Sequence, residues 1–73
     1  MPKLPRISGS EAVRALERPG FAVVRQRGSH VVMRRGASGC VVPMHRELKT
    51  GTLAGALRQA GVSAVEFIAA LRG

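Results

Sequence analysis

Hydrophobic residues along this chain change their spacing twice, from helical to strand-like and back, and the pattern predicts the elements. Between Ser8 and Arg18 the apolar positions Ala12, Val13 and Leu16 recur at helical spacing, while Arg14, Glu17 and Arg18 fall on the opposite side. Ser8-Gly9-Ser10-Glu11 reads as a capping box: the Ser8 hydroxyl accepts from the Glu11 N–H, and the Glu11 carboxylate accepts from the Ser8 N–H. Ile7 and Ala12 stand where a hydrophobic staple belongs, and Pro19-Gly20 stops the helix because neither residue continues it.

The spacing then shortens. Phe21 to Arg27 and His30 to Arg35 are rich in β-branched residues and too short for helices, so both are predicted strands. The intervening Gly28-Ser29 is a hairpin signal, since glycine reaches the positive φ that a two-residue loop requires. Gly36-Ala37-Ser38-Gly39 is the next turn, and Cys40-Val41-Val42 a third strand, ended by Pro43, which has no N–H for a ladder. Helical spacing returns with Leu53, Ala56, Leu57 and Ala60, with Thr50 expected as the cap and Gly61 as the C′ residue. Ser63-Ala64-Val65-Glu66 is a second capping box with Val62 and Phe67 as staple, opening a short final helix that carries Phe67, Ile68 and Leu71. Met1 to Arg6, with Pro2 and Pro5, has no periodicity. The expectation is one domain over residues 1–73, an α+β fold of α-β-β-β-α order with an additional short C-terminal helix and a three-stranded antiparallel sheet, the layout of a double-stranded-RNA-binding domain.

Composition narrows what such a fold can do. A chain of 73 residues buries only about 60% of its unfolded surface, which leaves no room for an enclosed pocket. Twelve Lys and Arg against four Asp and Glu give a net charge of +8, which points to a polyanion or an acidic protein as partner. The basic residues are dispersed, unlike a localisation tail. The single Cys40 cannot form an internal disulfide, and with two histidines it offers no zinc-ligand spacing; in a strand it reads as a small buried hydrophobe. No apolar stretch approaches the ~18 residues of a membrane span, and no signal-peptide pattern opens the chain, so a cytoplasmic protein is expected; the free chain is expected to be monomeric.

The chemistry concentrates at Arg25-Gln26-Arg27-Gly28-Ser29-His30. The hairpin sets His30 at the start of a strand, Arg25 and Arg27 lead into it, and Arg34 follows at strand spacing on the same face. A histidine among arginines suits a phosphate diester, although a lone imidazole in a turn is also an ordinary solvated residue. Lys49-Thr50-Gly51-Thr52 offers free helix-start N–H groups, a hydroxyl and a lysine, which is either a phosphate site or an ordinary helix start. His45, just past the third strand, is placed equally well to bond its own loop or to touch RNA. Ala60-Gly61-Val62-Ser63 resembles the turn of a helix-turn-helix, but the following helix has no Arg, Asn, Gln or Lys before Arg72 to read bases. Phe21 and Phe67, the two aromatics, read as core, so single-strand binding by stacking is poorly supported.

Pro5-Arg6-Ile7-Ser8-Gly9, Gly20-Phe21 and Arg25-Gln26-Arg27-Gly28-Ser29-His30 together resemble the HicA family of small toxins. The resemblance continues through Val42-Pro43-Met44-His45-Arg46-Glu47-Leu48-Lys49-Thr50-Gly51-Thr52-Leu53 and Leu57-Arg58-Gln59-Ala60-Gly61, in order from about Leu4 to Leu71. Two departures are Pro19 at the helix end and a Gly36–Gly39 turn without the acidic residue frequent in the family. The resemblance implies an mRNA interferase of a type II toxin–antitoxin pair, a HicB-type antitoxin as partner, and His30 as the catalytic histidine. The residues expected to contact RNA are then Arg25, Arg27, Gly28, Ser29, Arg34, Lys49 and Thr50.

The implied reaction suits the residues. RNA carries its own nucleophile, the 2′-OH, so the protein must move protons and stabilise charge on the phosphorane. An imidazole does the first, typically contributing ~10²–10⁴-fold, and arginines do the second. Glu11, Glu17, Glu47 and Glu66 are the only carboxylates, and they form no sequence cluster for Mg²⁺, so no metal or other cofactor is expected. The alternative is a non-catalytic RNA-binding, translation-regulating module using the same basic face; His30 favours the enzyme, because Lys or Arg would serve pure phosphate binding equally well.

Overall fold

A computed structural model describes residues 3–73, so the first two residues of the basic lead, Met1 and Pro2, lie outside the described residues. The order is α1 (Gly9–Glu17), β1 (Ala22–Arg27), β2 (His30–Arg35), β3 (Ser38–Pro43), α2 (Thr50–Ala60) and α3 (Ala64–Arg72). The strands form an antiparallel sheet in the order β1-β2-β3. This is the α+β arrangement expected from the hydrophobic pattern, with the extra helix at the C-terminus.

Local chemistry explains most boundaries. Ser8 and Ser63 both head complete capping boxes with Glu11 and Glu66, so two helices begin where their side chains satisfy the first N–H groups. Hydrogen bonding to the Ser8 backbone and then its side chain lowers the Glu11 carboxyl below its ordinary value of 4.5. In α1 the buried face is Ala12, Ala15 and Leu16, with Val13 only half-buried, a rotation of the expected stripe toward Ala15. Both hairpins have two-residue loops. Gly28 (φ 55°) and Gly36 (φ 59°) supply the positive φ, and Arg27 faces His30 as Arg35 faces Ser38. The third strand is longer than its apolar run, because Ser38 and Gly39 pair with Arg35 and Arg34 instead of staying in the turn.

Thr50 is the first residue of α2 and not its cap. Lys49 occupies the cap position and makes no side-chain cap hydrogen bond. The buried stripe of α2 is Leu53, Ala56, Leu57 and Ala60, as its spacing predicts, and Gly61 closes it in the left-handed region at φ 72°.

The helices cover one face of the sheet. Val31, Met33, Cys40 and Val42 face inward and meet Leu16, Phe21, Leu48, Leu53, Leu57 and Phe67 in one cluster. Cys40 is a buried core thiol, and its burial pushes its pKa up. The opposite face of the sheet is open. β1 is exposed along its whole length, because α2 packs mainly on β3 and α3 on α1.

Candidate nucleic-acid interface

Sheet register decides which side chains share the open face. Directly opposed residues in antiparallel strands point to the same side. Arg27 opposes His30, Arg25 opposes Val32, and Arg34 lies two positions beyond Val32 on its own strand. Arg25, Arg27, His30, Val32 and Arg34 therefore occupy one side of the sheet, away from the helices. Strict alternation from the inward Val23, which opposes Met33, would send Arg25 and Arg27 inward. A β-bulge between Val23 and Arg25 inserts Val24 and reverses the parity, which brings both arginines round to His30. Sequence alone carried no clear signal for this bulge.

His30 is exposed at the first position of the middle strand, between Arg27 on β1 and Pro43 on β3. Gly28 and Ser29 form the loop beside it, where the Gln26 side-chain amide donates to the Gly28 carbonyl at 3.2 Å. The Ser29 carbonyl accepts from the Met44 N–H, which ties this loop to the segment carrying His45. That segment is anchored at its other side. The Gly9 N–H donates to the His45 carbonyl at 2.9 Å and the Leu48 N–H to the Ile7 carbonyl at 2.7 Å. His45 thus meets its surroundings through its backbone, and its imidazole is exposed.

Two adjacent arginines have different fates. The Arg34 side chain crosses Gly39 on the open face, with Cγ 3.3 Å from where a Cβ would be, so a side chain at Gly39 would crowd it. Arg35 instead stacks on the Phe21 ring at 4.7 Å and donates to the Pro19 carbonyl at 2.9 Å. Arg6 pairs with Glu47 at 3.3 Å and Arg18 donates to the Ala70 carbonyl. Among the described residues, the side chains of Arg25, Arg27, His30 and Arg34 take part in no hydrogen bond or ion pair within the chain. The carboxylates lie elsewhere: Glu11 and Glu66 in capping boxes, Glu47 on Arg6, and Glu17 on α1. The open face is accordingly positive without compensation.

Lys49 and Thr50 lie at the start of α2, after the anchored loop that follows Pro43. This helix start has neither a side-chain cap nor an acidic residue in its first turn, unlike α1 and α3. Its N–H groups and the Lys49 ammonium suit an anion. A shallow groove of about 520 Å³ runs beside Arg34, over Val32, Gly39 and Val41 to Gln59 of α2, and does not include His30. Gln59 is a groove residue that sequence reading missed, since it sits on the wet side of α2. No three of His, Cys, Asp and Glu come together as metal ligands among the described residues.

A family model described as the HicA toxin of bacterial toxin–antitoxin matches residues 9–62. The chain belongs to the HicA toxin family. The match begins at the first residue of α1 and ends just beyond α2, so it takes in the hairpin, His30, the anchored loop and the bare helix start of this HicA-family toxin. It leaves out α3. No curated protein matches the chain. No helix among the described residues is long and apolar enough to cross a membrane.

Proposed function

We propose that this HicA-family toxin is an endoribonuclease that cleaves mRNA without a metal cofactor and is held inactive by a HicB-type antitoxin. The observation that carries the reading is an exposed imidazole, His30, sharing an open sheet face with three unpaired guanidiniums, Arg25, Arg27 and Arg34. RNA lies across this face with its phosphates on the arginines, and its chain reaches the hairpin loop at Gly28 and Ser29 and the helix start at Lys49 and Thr50. His30 takes the proton of the 2′-OH as that oxygen attacks the adjacent phosphorus. The bond to the 5′-oxygen breaks, leaving a 2′,3′-cyclic phosphate and a 5′-hydroxyl. Arginines complement the charge that develops on the phosphoryl oxygens. Protonation of the leaving 5′-oxygen needs a second donor, and the exposed His45 on the loop tied to Ser29 is the side chain we assign to it.

One observation favours a non-catalytic, RNA-binding reading. The His30 imidazole has no partner side chain to fix its tautomer, as a general base ordinarily does. Incubation of the purified toxin with single-stranded RNA in EDTA separates the two. The enzyme reading expects fragments ending in a cyclic phosphate, abolished by His30→Ala with RNA affinity retained and reduced more mildly by His45→Ala, because water can replace His45 as proton donor. Binding without cleavage, or cleavage at the original rate by His30→Ala, would overturn it.

Among the described residues no element covers the open face, so control falls to a partner. An acidic antitoxin bound over the β1–β2 hairpin and the Lys49–Thr52 helix start would compete directly with phosphate. The free toxin is then a monomeric single domain in the cytoplasm. A complex that cleaves RNA at the free toxin's rate would rule this arrangement out.

A further inference from the structure

The C-terminal helix α3 lies outside the family match and has more apolar surface than its own fold covers. Only Phe67 is buried in it, with Ala70 and Leu71 packed at the core's edge. On the outer side Val65, Ile68, Ala69 and Arg72 follow at i, i+3, i+4 and i+7 and line a shallow groove of about 430 Å³. Val65 is 64% exposed, more than Val23, Val24 or Val41. Beside it, Lys3, Pro5, Ile68, Leu71 and Arg72 line a second groove of about 490 Å³. A helix apolar on both sides is normally buried on both.

The rim of this stripe is positive. Lys3 and Arg72 border the outer grooves, and Arg14 and Arg18 border the seam between α1 and α3. Two carboxylates lie nearby, Glu66 on the Ser63 N–H and Glu11 on the Ser8 N–H, and are outnumbered by these four cations. A second copy of the chain is a poor occupant, since each carries +8 and a symmetric contact would bring like rims together. A helix of nine residues also falls short of the ~800 Å² per partner that a stable dimer buries. Lipid is a poor occupant as well, because the stripe lacks the Trp, Phe or Leu that anchor interfacial helices.

We propose that the outer face of α3 is a docking surface for a polypeptide segment with an apolar stripe and acidic flanks. The apolar stripe of that segment covers Val65, Ile68 and Ala69, and its carboxylates meet Lys3 and Arg72. The contact is small, so it acts as a second point of attachment for a partner held elsewhere, where tethering raises its effective concentration. Because α3 packs on α1 and α2, on the covered side of the sheet, a segment docked there leaves the His30 face open. The inference is independent of the ribonuclease reading.

The test uses the full chain and a fluorescein-labelled helical peptide with leucines along one face and glutamates along the other. Anisotropy reads affinity at physiological ionic strength, and amide shifts in isotope-labelled protein locate the site. Saturable binding with shifts centred on Val65, Ile68, Ala69 and Arg72 is expected. Val65→Glu combined with Ala69→Glu should weaken it at least tenfold, and Val65→Ser should weaken it with the fold intact by thermal melting. The proposal is overturned by shifts confined to the Arg25–Arg34 face, or by equal binding of a peptide with lysines in place of the glutamates. A dimer in sedimentation lost with Val65→Glu would assign the surface to a second copy. Adsorption to phosphatidylglycerol vesicles lost with that substitution would assign it to lipid.

Discussion

Replacing Gly9 with alanine tests how the segment carrying His45 is held against α1. Gly9 is the first residue of α1, where alanine ordinarily favours a helix over glycine by up to about 1 kcal/mol. Here the added Cβ would overlap the Pro43 carbonyl oxygen and lie 2.7 Å from the Met44 Cα. Both are backbone atoms, so no rotamer change relieves the clash. The Gly9 N–H also donates to the His45 carbonyl at 2.9 Å, and moving apart would lose that bond. Overpacking of this kind costs about 1–3 kcal/mol, and the lost hydrogen bond costs roughly another 1 kcal/mol. Against the helix gain, the net is a destabilisation of about 1–3 kcal/mol, or about 4–8 °C of melting temperature per kcal/mol in a domain of this size. Gly51→Ala in α2 is the control, because its Cβ would meet nothing within 4 Å; it should stabilise by roughly 0.5–1 kcal/mol. Urea unfolding of both variants, followed by circular dichroism, measures the pair. A Gly9→Ala protein as stable as its parent would refute the close approach of α1 to the end of β3.

Arg34→Ala should weaken RNA binding and flatten its dependence on salt, by about 0.7 in the log–log slope for a single strand, with little change in stability. Arg35→Ala should do the reverse, costing about 0.5–1 kcal/mol of stability through the lost Phe21 contact while sparing RNA affinity; equal binding losses in the two variants would contradict their assignment to different faces. The folded-state pKa of Glu11 is lowered below 4.5, so its contribution to stability is present above that value and is lost as pH falls through the folded pKa. Glu11→Gln should therefore lower stability at neutral pH and reduce its loss on acidification, measured as melting temperature against pH. Cleavage in EDTA should proceed at the rate seen with added Mg²⁺; a strict Mg²⁺ requirement in nuclease-free preparations would contradict metal independence.

Much of this molecule follows from short-range chemistry, and that part was legible in the sequence. Ser8-x-x-Glu11 and Ser63-x-x-Glu66 start helices because side chain and backbone satisfy each other within one turn. Gly28 makes the two-residue turn its sequence predicts, because glycine takes the positive φ without strain, whereas the turn at Gly36 is shorter than the four residues its composition suggests. The stripe of α2 follows from periodicity, and the position of His30 at a strand start from the Gly28-Ser29 turn signal. Tertiary structure decided whatever depends on residues distant in the chain. Alternation along β1 would divide Val23 from its neighbours but keep it with Arg25; the bulge that separates them exists because β1 must hold Phe21 in the core while its far end pairs with His30. Strand alternation already puts Arg34 and Arg35 on opposite faces, but only the fold decides what each meets there, Gly39 for one and Phe21 for the other. Thr50 has the chemistry of a cap, yet the anchored loop before it delivers Lys49 to that position and leaves the helix start bare. Local hydrogen bonds and turn geometry can be read from adjacent residues, whereas the face a side chain occupies depends on which strand or loop packs against it.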